Sequence, residues 1–200
     1  MRSGRLEAFS DGVLAIVITI MVLGLRAPRG VGWHALFDTS GLGLVTYLVS
    51  FVYVGIYWNN HHHLFQLVDH ADGAVLWANL HLLFWLSLFP FSTSWLDHSR
   101  LAQVPTIVYG ANLLAAAIAY FLLQRAIMRT PSGDRARAAL GVDLKGKVSP
   151  VVYVAGILAA LWVPWVGLVP PVVVALMWLV PDRRVEKFLA EERELLGRDE

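Results

Sequence analysis

The side chains able to do chemistry are few, and they gather in three short stretches. Phe9-Ser10-Asp11 sets a hydroxyl beside a carboxylate, Trp58-Asn59-Asn60-His61-His62-His63 carries amides and imidazoles, and Asn79-Leu80-His81 repeats that pairing. Clustered histidines suit a metal or a haem, since imidazoles from two helices can hold haem iron axially. On a helix, however, consecutive residues diverge by about 100°, so at most one of His61, His62 and His63 can face a given site. No i, i+4 His pair of the kind that builds a zinc helix is present. Zero cysteines remove disulfides, thiolate metal sites, iron–sulfur clusters and cysteine nucleophiles together. The plainer reading of these groups is hydrogen bonding between helices, with His81 about one turn deeper and able to pair with helix two. Asp11 reads either as a helix-start carboxylate favoured by the dipole, with Ser10 as a cap-like acceptor, or as a member of a polar network inside a membrane. Arg5 lies six residues before Asp11, about 120° away on a helical wheel, so a pairing between them would run through a neighbouring helix.

The elements that must position these groups are set by composition. The 200 residues are 57% hydrophobic and 16% charged, with a mean hydropathy of +0.59; soluble domains are about 45–50% apolar and about 25% charged. The apolar residues form long uncharged blocks instead of amphipathic stripes, which predicts a membrane protein. The net charge of +1 comes without a clustered basic face, so nucleic acid is not an expected partner. The N-terminal segment resembles a signal peptide, but it lacks a small-x-small cleavage site and carries Asp11 where the apolar region should begin, so it is read as a retained helix.

A crossing takes about 20 helical residues. Sized against that length, the blocks predict helices over 6–26, 41–62, 73–96 and 101–125. The uncharged run 148–181 would span about 51 Å as one helix, too long for a single crossing, and Pro164, Pro170 and Pro171 interrupt it. It is split into 148–163 and 168–181, giving a six-helix transmembrane domain over 1–181 with a short solvated tail over 182–200. Charge tests the split, because cytoplasmic loops collect Lys and Arg. Six helices put thirteen of the sixteen bases on the side of both termini and leave Arg26, Arg29 and Arg100 on the other, whereas five helices would divide them equally. The reading is therefore an all-α membrane protein of six transmembrane helices, with both termini cytoplasmic. Trp33, Trp58, Trp95 and Trp178 fall near the ends of these helices, where Trp anchors at the interface.

Between Gly12 and Leu25 the first helix has one polar side-chain group, the Thr19 hydroxyl. Gly12, Ile16, Thr19, Ile20 and Leu23 fall within about 100° of each other on the wheel. Such a face packs against a helix, faces lipid, or lines a pore that closes by dewetting at rings of Ile and Leu; in the last case Asp11 points away from the pore.

Arg5-x-x-x-Phe9-Ser10-Asp11 opening an apolar first helix resembles the signature of the transmembrane protein 175 family, the lysosomal potassium channel and its bacterial homologues. Trp58-x-x-His61 followed by Leu64-Phe65, and Asn79-Leu80 leading to Leu88-Phe89-Pro90-Phe91, match in the same order. The resemblance covers roughly residues 5–96 by motif and the remainder by helix count. It implies a potassium-selective, leak-like cation channel in the cell (inner) membrane, with six helices per subunit in a homotetramer around the first helices, and no enzyme. It further implies that Ile16 forms the tightest ring, that Thr19, Ile20 and Leu23 face the pore, and that Arg5, Ser10, Asp11 and His61 form a polar network holding helix one. Asn59, Asn60 and the triple His make that point more polar than the family leads one to expect. Expected partners are potassium ions, lipid and further copies of the chain, with no cofactor and no resident metal. The alternatives are a haem or metal redox protein using His61, His62, His81 and His70, which a visible absorption spectrum decides, and a small secondary transporter. The transporter class has repeats or helices broken at the midplane; here the proline break lies near an end.

Overall fold

The computed structural model describes residues 1–131, 133–141 and 143–179, apart from the Leu140 side chain. The expected tail over 182–200 lies outside the described residues. The chain is helical: α1 (Ser3–Leu23), α2 (Trp33–Phe65), α3 (Gly73–Ser87), α4 (Phe89–His98), α5 (Gln103–Ile127), α6 (Gly133–Leu140), α7 (Leu144–Ala160), a 3-10 turn (Pro164–Leu168) and α8 (Val169–Leu179). By length and composition, four stretches can cross a membrane, namely α1, α2, α3 with α4 taken together, and α5; Pro164–Leu179 is a shorter apolar helix.

Three elements differ from the expectation. α2 runs 33 residues, about 50 Å, and starts at Trp33 instead of Gly41. Nothing in Trp33–Ser40 stops a helix, and His34 pairs with Asp38 one turn on at 2.7 Å. The third stretch pauses at Leu88, where Pro90 cannot donate to the preceding turn, so α3 and α4 follow each other as two helices. The loop expected between the fourth and fifth crossings contains α6. The proline-rich run does break, but only Pro164 breaks it: Val163 is extended, as a residue before proline prefers to be. Pro170 and Pro171 sit in the first turn of α8, where a missing N–H costs nothing.

The core gathers on α5. Its buried face runs Tyr109, Leu113, Ala116, Ala119, Leu123 and Ile127, and its small residues let neighbours approach. Close approach is most severe between α7 and the 3-10 turn, where a Cβ on Gly167 would lie 2.6 Å from the Ala160 Cβ and 3.0 Å from the Gly156 carbonyl oxygen. Tyr53 of α2 ties this half to the rest, donating its hydroxyl to the Pro171 carbonyl at 2.6 Å.

Bonds between elements sort the helix ends. At one end lie the starts of α1, α3 and α7 and the finishes of α2, α5 and α8: Tyr120 donates to the Asn60 carbonyl at 3.2 Å, and Trp178 Nε1 to Ser149 Oγ at 3.0 Å. The first residues also pair there with the α2–α3 connection, through Ala71 N–H to the Met1 carbonyl at 2.9 Å and Ser3 N–H to the Asp69 carbonyl at 3.2 Å. At the opposite end Ser40 donates to the Arg26 carbonyl, Arg26 Nε to His98 Nε2 at 3.1 Å, and Gln103 Nε2 to the Leu161 carbonyl at 2.5 Å.

Candidate functional site

α1 is apolar nearly all round, yet only one side of it is covered. Leu6, Ser10, Leu14, Val17 and Met21, spaced by three or four residues, are buried against the rest of the chain. On the opposite side Phe9, Gly12, Ile16, Thr19, Ile20 and Leu23 are exposed, Leu23 at 81% and Ile16 at 58%. The face singled out on the wheel is therefore the uncovered face of α1. Thr19 donates its hydroxyl proton to the Ile16 carbonyl at 2.8 Å. Its oxygen lone pairs are then left as the side-chain acceptor on that face.

The covered side is held by a latch of matched spacing. Glu7, Ser10 and Asp11 occupy positions i, i+3 and i+4 of α1; His62, His61 and Trp58, with the same spacing on α2, answer them. His62 Nδ1 meets Glu7 Oε1 at 2.5 Å, and Trp58 Nε1 donates to Asp11 Oδ1 at 3.0 Å. Between these two, the contact is relayed by Asn79 of α3. Ser10 donates to the Leu6 carbonyl at 2.8 Å, so Ser10 Oγ accepts from Asn79 Nδ2 at 2.9 Å. Asn79 Oδ1 must then accept from His61 Nε2 at 2.8 Å. The direction of every proton in the chain is set, which fixes His61 as the Nε2–H tautomer with a bare Nδ1. His61, Asn79 and Ser10 are 1% exposed or less, and the imidazole stacks on Phe65 at 4.4 Å.

Of the four residues expected in the network, Ser10 and His61 join through Asn79, and Asp11 reaches α2 by a separate bond. The Arg5 side chain is exposed and makes no hydrogen bond or ion pair among the described residues. Sequence reasoning did not place Glu7 in the network, and it named Trp58 as an interface anchor and within the Trp58-x-x-His61 motif without giving it a partner; the shared spacing of the two triads was the available signal. His81 does not reach α2. It is exposed and accepts from Trp85 Nε1 at 3.0 Å, one turn along its own helix. The remaining histidines diverge as expected for adjacent helical positions, and among the described residues no three metal-binding side chains gather.

Where the uncovered face of α1 ends, Arg26, Asp38, Asp97, His98 and Arg100 line an open cavity. His98 accepts from Arg26 and makes a 2.7 Å bond through Nδ1 to the Ser94 carbonyl, so it is the Nδ1–H tautomer. The arrangement is a helix pinned along one side by polar bonds at its start, its other side apolar, uncovered and bearing one hydroxyl.

Residues 5–90 match the family model described as endosomal/lysosomal potassium channel TMEM175. The chain is 50% identical over 192 residues to a potassium channel of Chryseobacterium sp. (strain P1-3), covering 96% of this chain and 100% of that protein. It is 38% identical over 136 residues to a potassium channel of Streptomyces collinus (strain DSM 40733 / Tue 365), covering 64% and 66% respectively. Among solved structures, the crystal structure of a lysosomal potassium-selective channel TMEM175 homolog from Chamaesiphon minutus superposes with a TM-score of 0.71 at 29% identity, covering 89% of this chain and 96% of that one.

Proposed function

The chain belongs to the TMEM175 family of channels, and from that premise we propose that the uncovered face of α1 lines its ion path. It is a multi-pass, all-helical membrane protein and a potassium-selective channel, not a redox protein or a secondary transporter. In the pore, Ile16 forms the tightest ring, and Ile20 and Leu23 form further rings about 6 and about 10 Å along the axis. Apolar rings of this kind gate by dewetting, and Thr19 oxygens between them replace part of an ion's water at one level.

The observation that carries this reading is the contrast across α1: polar bonds hold one side to α2 and α3, while the side bearing Ile16, Thr19, Ile20 and Leu23 is left largely exposed by its own chain. Four copies around one axis, the homotetramer that the resemblance to the family implies, cover one another's α1 faces and leave a central path. Arg5, exposed on the same side of α1, then meets a neighbouring copy and closes the network that holds the helix.

Six crossings, over 6–26, 41–62, 73–96, 101–125, 148–163 and 168–181, fit the alternation of helix ends. Arg2, Arg5, Arg125, Arg129, Arg135, Arg137, Lys145 and Lys147 belong to the end with the latch, and Arg26, Arg29 and Arg100 to the other. By the rule that bases stay inside, the latch end and both termini are cytoplasmic and the protein sits in the cell membrane. The test is potassium flux into liposomes holding the purified protein. Ile16→Asn and Leu23→Ala should both alter the flux; unchanged flux in both variants would remove the pore assignment.

A further inference from the structure

Two polar side chains on the outer walls of the bundle have hydrogen-bonding capacity that their own chain does not use. Asn59 of α2 is half-buried, and among the described residues its amide makes no hydrogen bond. It stands in a stripe with the exposed rings of Phe51 and Trp58. His81 of α3 is exposed and accepts at Nε2 from Trp85 Nε1 at 3.0 Å, so its proton is on Nδ1. Among the described residues nothing accepts that proton, and the neighbours of His81 on its stripe, Trp77 and Phe84, are exposed aromatics.

The two groups are placed symmetrically about the latch. His61 and Asn79 are joined at 2.8 Å, with α2 finishing and α3 starting at the same end of the bundle. Asn59 comes two residues before His61, and His81 two residues after Asn79, so both lie about 3 Å further along the bundle from that bond. Two positions also turn a helical side chain by about 200°, which points each of them about 160° away from the bond. Asn59 therefore faces away from α3 and His81 away from α2, at one level.

α1 stands between the two stripes. On one side Trp58, beside Asn59, bonds Asp11 at 3.0 Å. On the other side the α3 stripe continues into α4, whose Phe91 and Trp95 share an open groove with Ile20 and Gly24 of α1. A face with unlike borders closes into a ring head to tail, which sets the α2 border of one copy against the α3–α4 border of the next.

We infer that His81 Nδ1–H of one copy donates to the Asn59 side-chain oxygen of the next, so that these residues form the polar centre of the contact between copies. This contact rests on the ring of copies proposed above. The occupant of each stripe is a second copy because donor and acceptor stand at one level, point opposite ways and border the same uncovered helix. Lipid tails offer neither a donor nor an acceptor there, and hydrogen bonds across helices join membrane segments.

The chain contains no cysteine, so cross-linking tests the contact. Membranes holding the Asn59→Cys, His81→Cys protein are treated with a short bifunctional methanethiosulfonate, which makes up the reach lost with the longer native side chains, and run on a non-reducing denaturing gel. Each copy joins its two neighbours, and the product extends to the full ring. Either single variant stays at one copy, and the two single variants co-expressed stop at two. Native mass spectrometry of the same preparations counts the copies independently. A ring without cross-linked product, or dimers from either single variant, overturns the contact and leaves the ring standing; single copies by mass remove the ring and the contact with it. The hydrogen bond is read separately: Asn59→Leu and His81→Leu each promote dissociation of the copies in detergent, and the double variant dissociates no more readily than the worse of the two. Losses that add, or no loss in either variant, overturn the bond.

Discussion

Asn79 makes the clearest single-residue case. Its amide is fully buried, and both of its ends are used, the oxygen by His61 and the nitrogen by Ser10. Asn79→Leu removes both buried links of the relay at once and leaves the His61 Nε2–H without an acceptor, which costs about 1–3 kcal/mol. Ser10→Ala removes one hydroxyl and strands only the Asn79 nitrogen. In thermal unfolding of the solubilised protein, Asn79→Leu should therefore lower the midpoint clearly more than Ser10→Ala; an equal or smaller effect would mean that the relay does not hold α1. At Thr19, Thr19→Val keeps the side-chain shape and deletes the oxygen, whereas Thr19→Ser keeps the oxygen. Potassium flux should fall in the valine variant and survive in the serine variant. The stripe from Gly12 to Leu23 was legible in the sequence because helical spacing alone puts those residues on one face. Spacing could not say whether lipid, protein or water meets that face, and the family motif supplied the pore reading. The latch was half legible. Ser10, Asp11 and His61 stand out as polar groups in apolar segments, but Glu7 lies at a helix start and Trp58 at a boundary, where each has an ordinary explanation of its own.

At the scale of the helix, glycines report where backbones meet. A methyl group on Gly167 would have to push away the Ala160 Cβ and the Gly156 carbonyl, all held by backbone. Gly167→Ala should cost about 1–3 kcal/mol, the usual price of overpacking. Gly55 of α2 has nothing within 4 Å of an added Cβ. Gly55→Ala in the helix interior should be neutral or gain about 0.5–1 kcal/mol. Melting curves of the two variants check both signs. Helix existence was legible from the uncharged blocks, and the break before Pro164 from proline chemistry. Boundaries were less so: the start of α2 has no stop signal to read, and Pro90 falls inside a run apolar enough to pass for one helix. Helix α6 is eight residues of Gly, Ala and charge with a single Leu. It carries no membrane signal, and it forms where Arg137 can bond Asp134 at 2.5 Å and the Met128 carbonyl at 2.7 Å.

For the whole molecule, the excess of apolar residues has three destinations: the core around α5, the surface offered to lipid, and the uncovered face of α1. The third carries the functional claim, and the absence of cysteine from the natural sequence makes it directly testable. A single cysteine placed at Leu23 introduces one thiol per subunit in an otherwise thiol-free channel. Liposomes holding Leu23→Cys protein are treated with a charged, membrane-impermeant thiol reagent while potassium flux is followed, with Leu158→Cys, on the exposed side of α7, as the matched control. If the α1 face lines the ion path, modification changes the flux through Leu23→Cys channels and leaves Leu158→Cys channels as they were. Unchanged flux through Leu23→Cys channels whose labelling has been verified by mass would contradict the account.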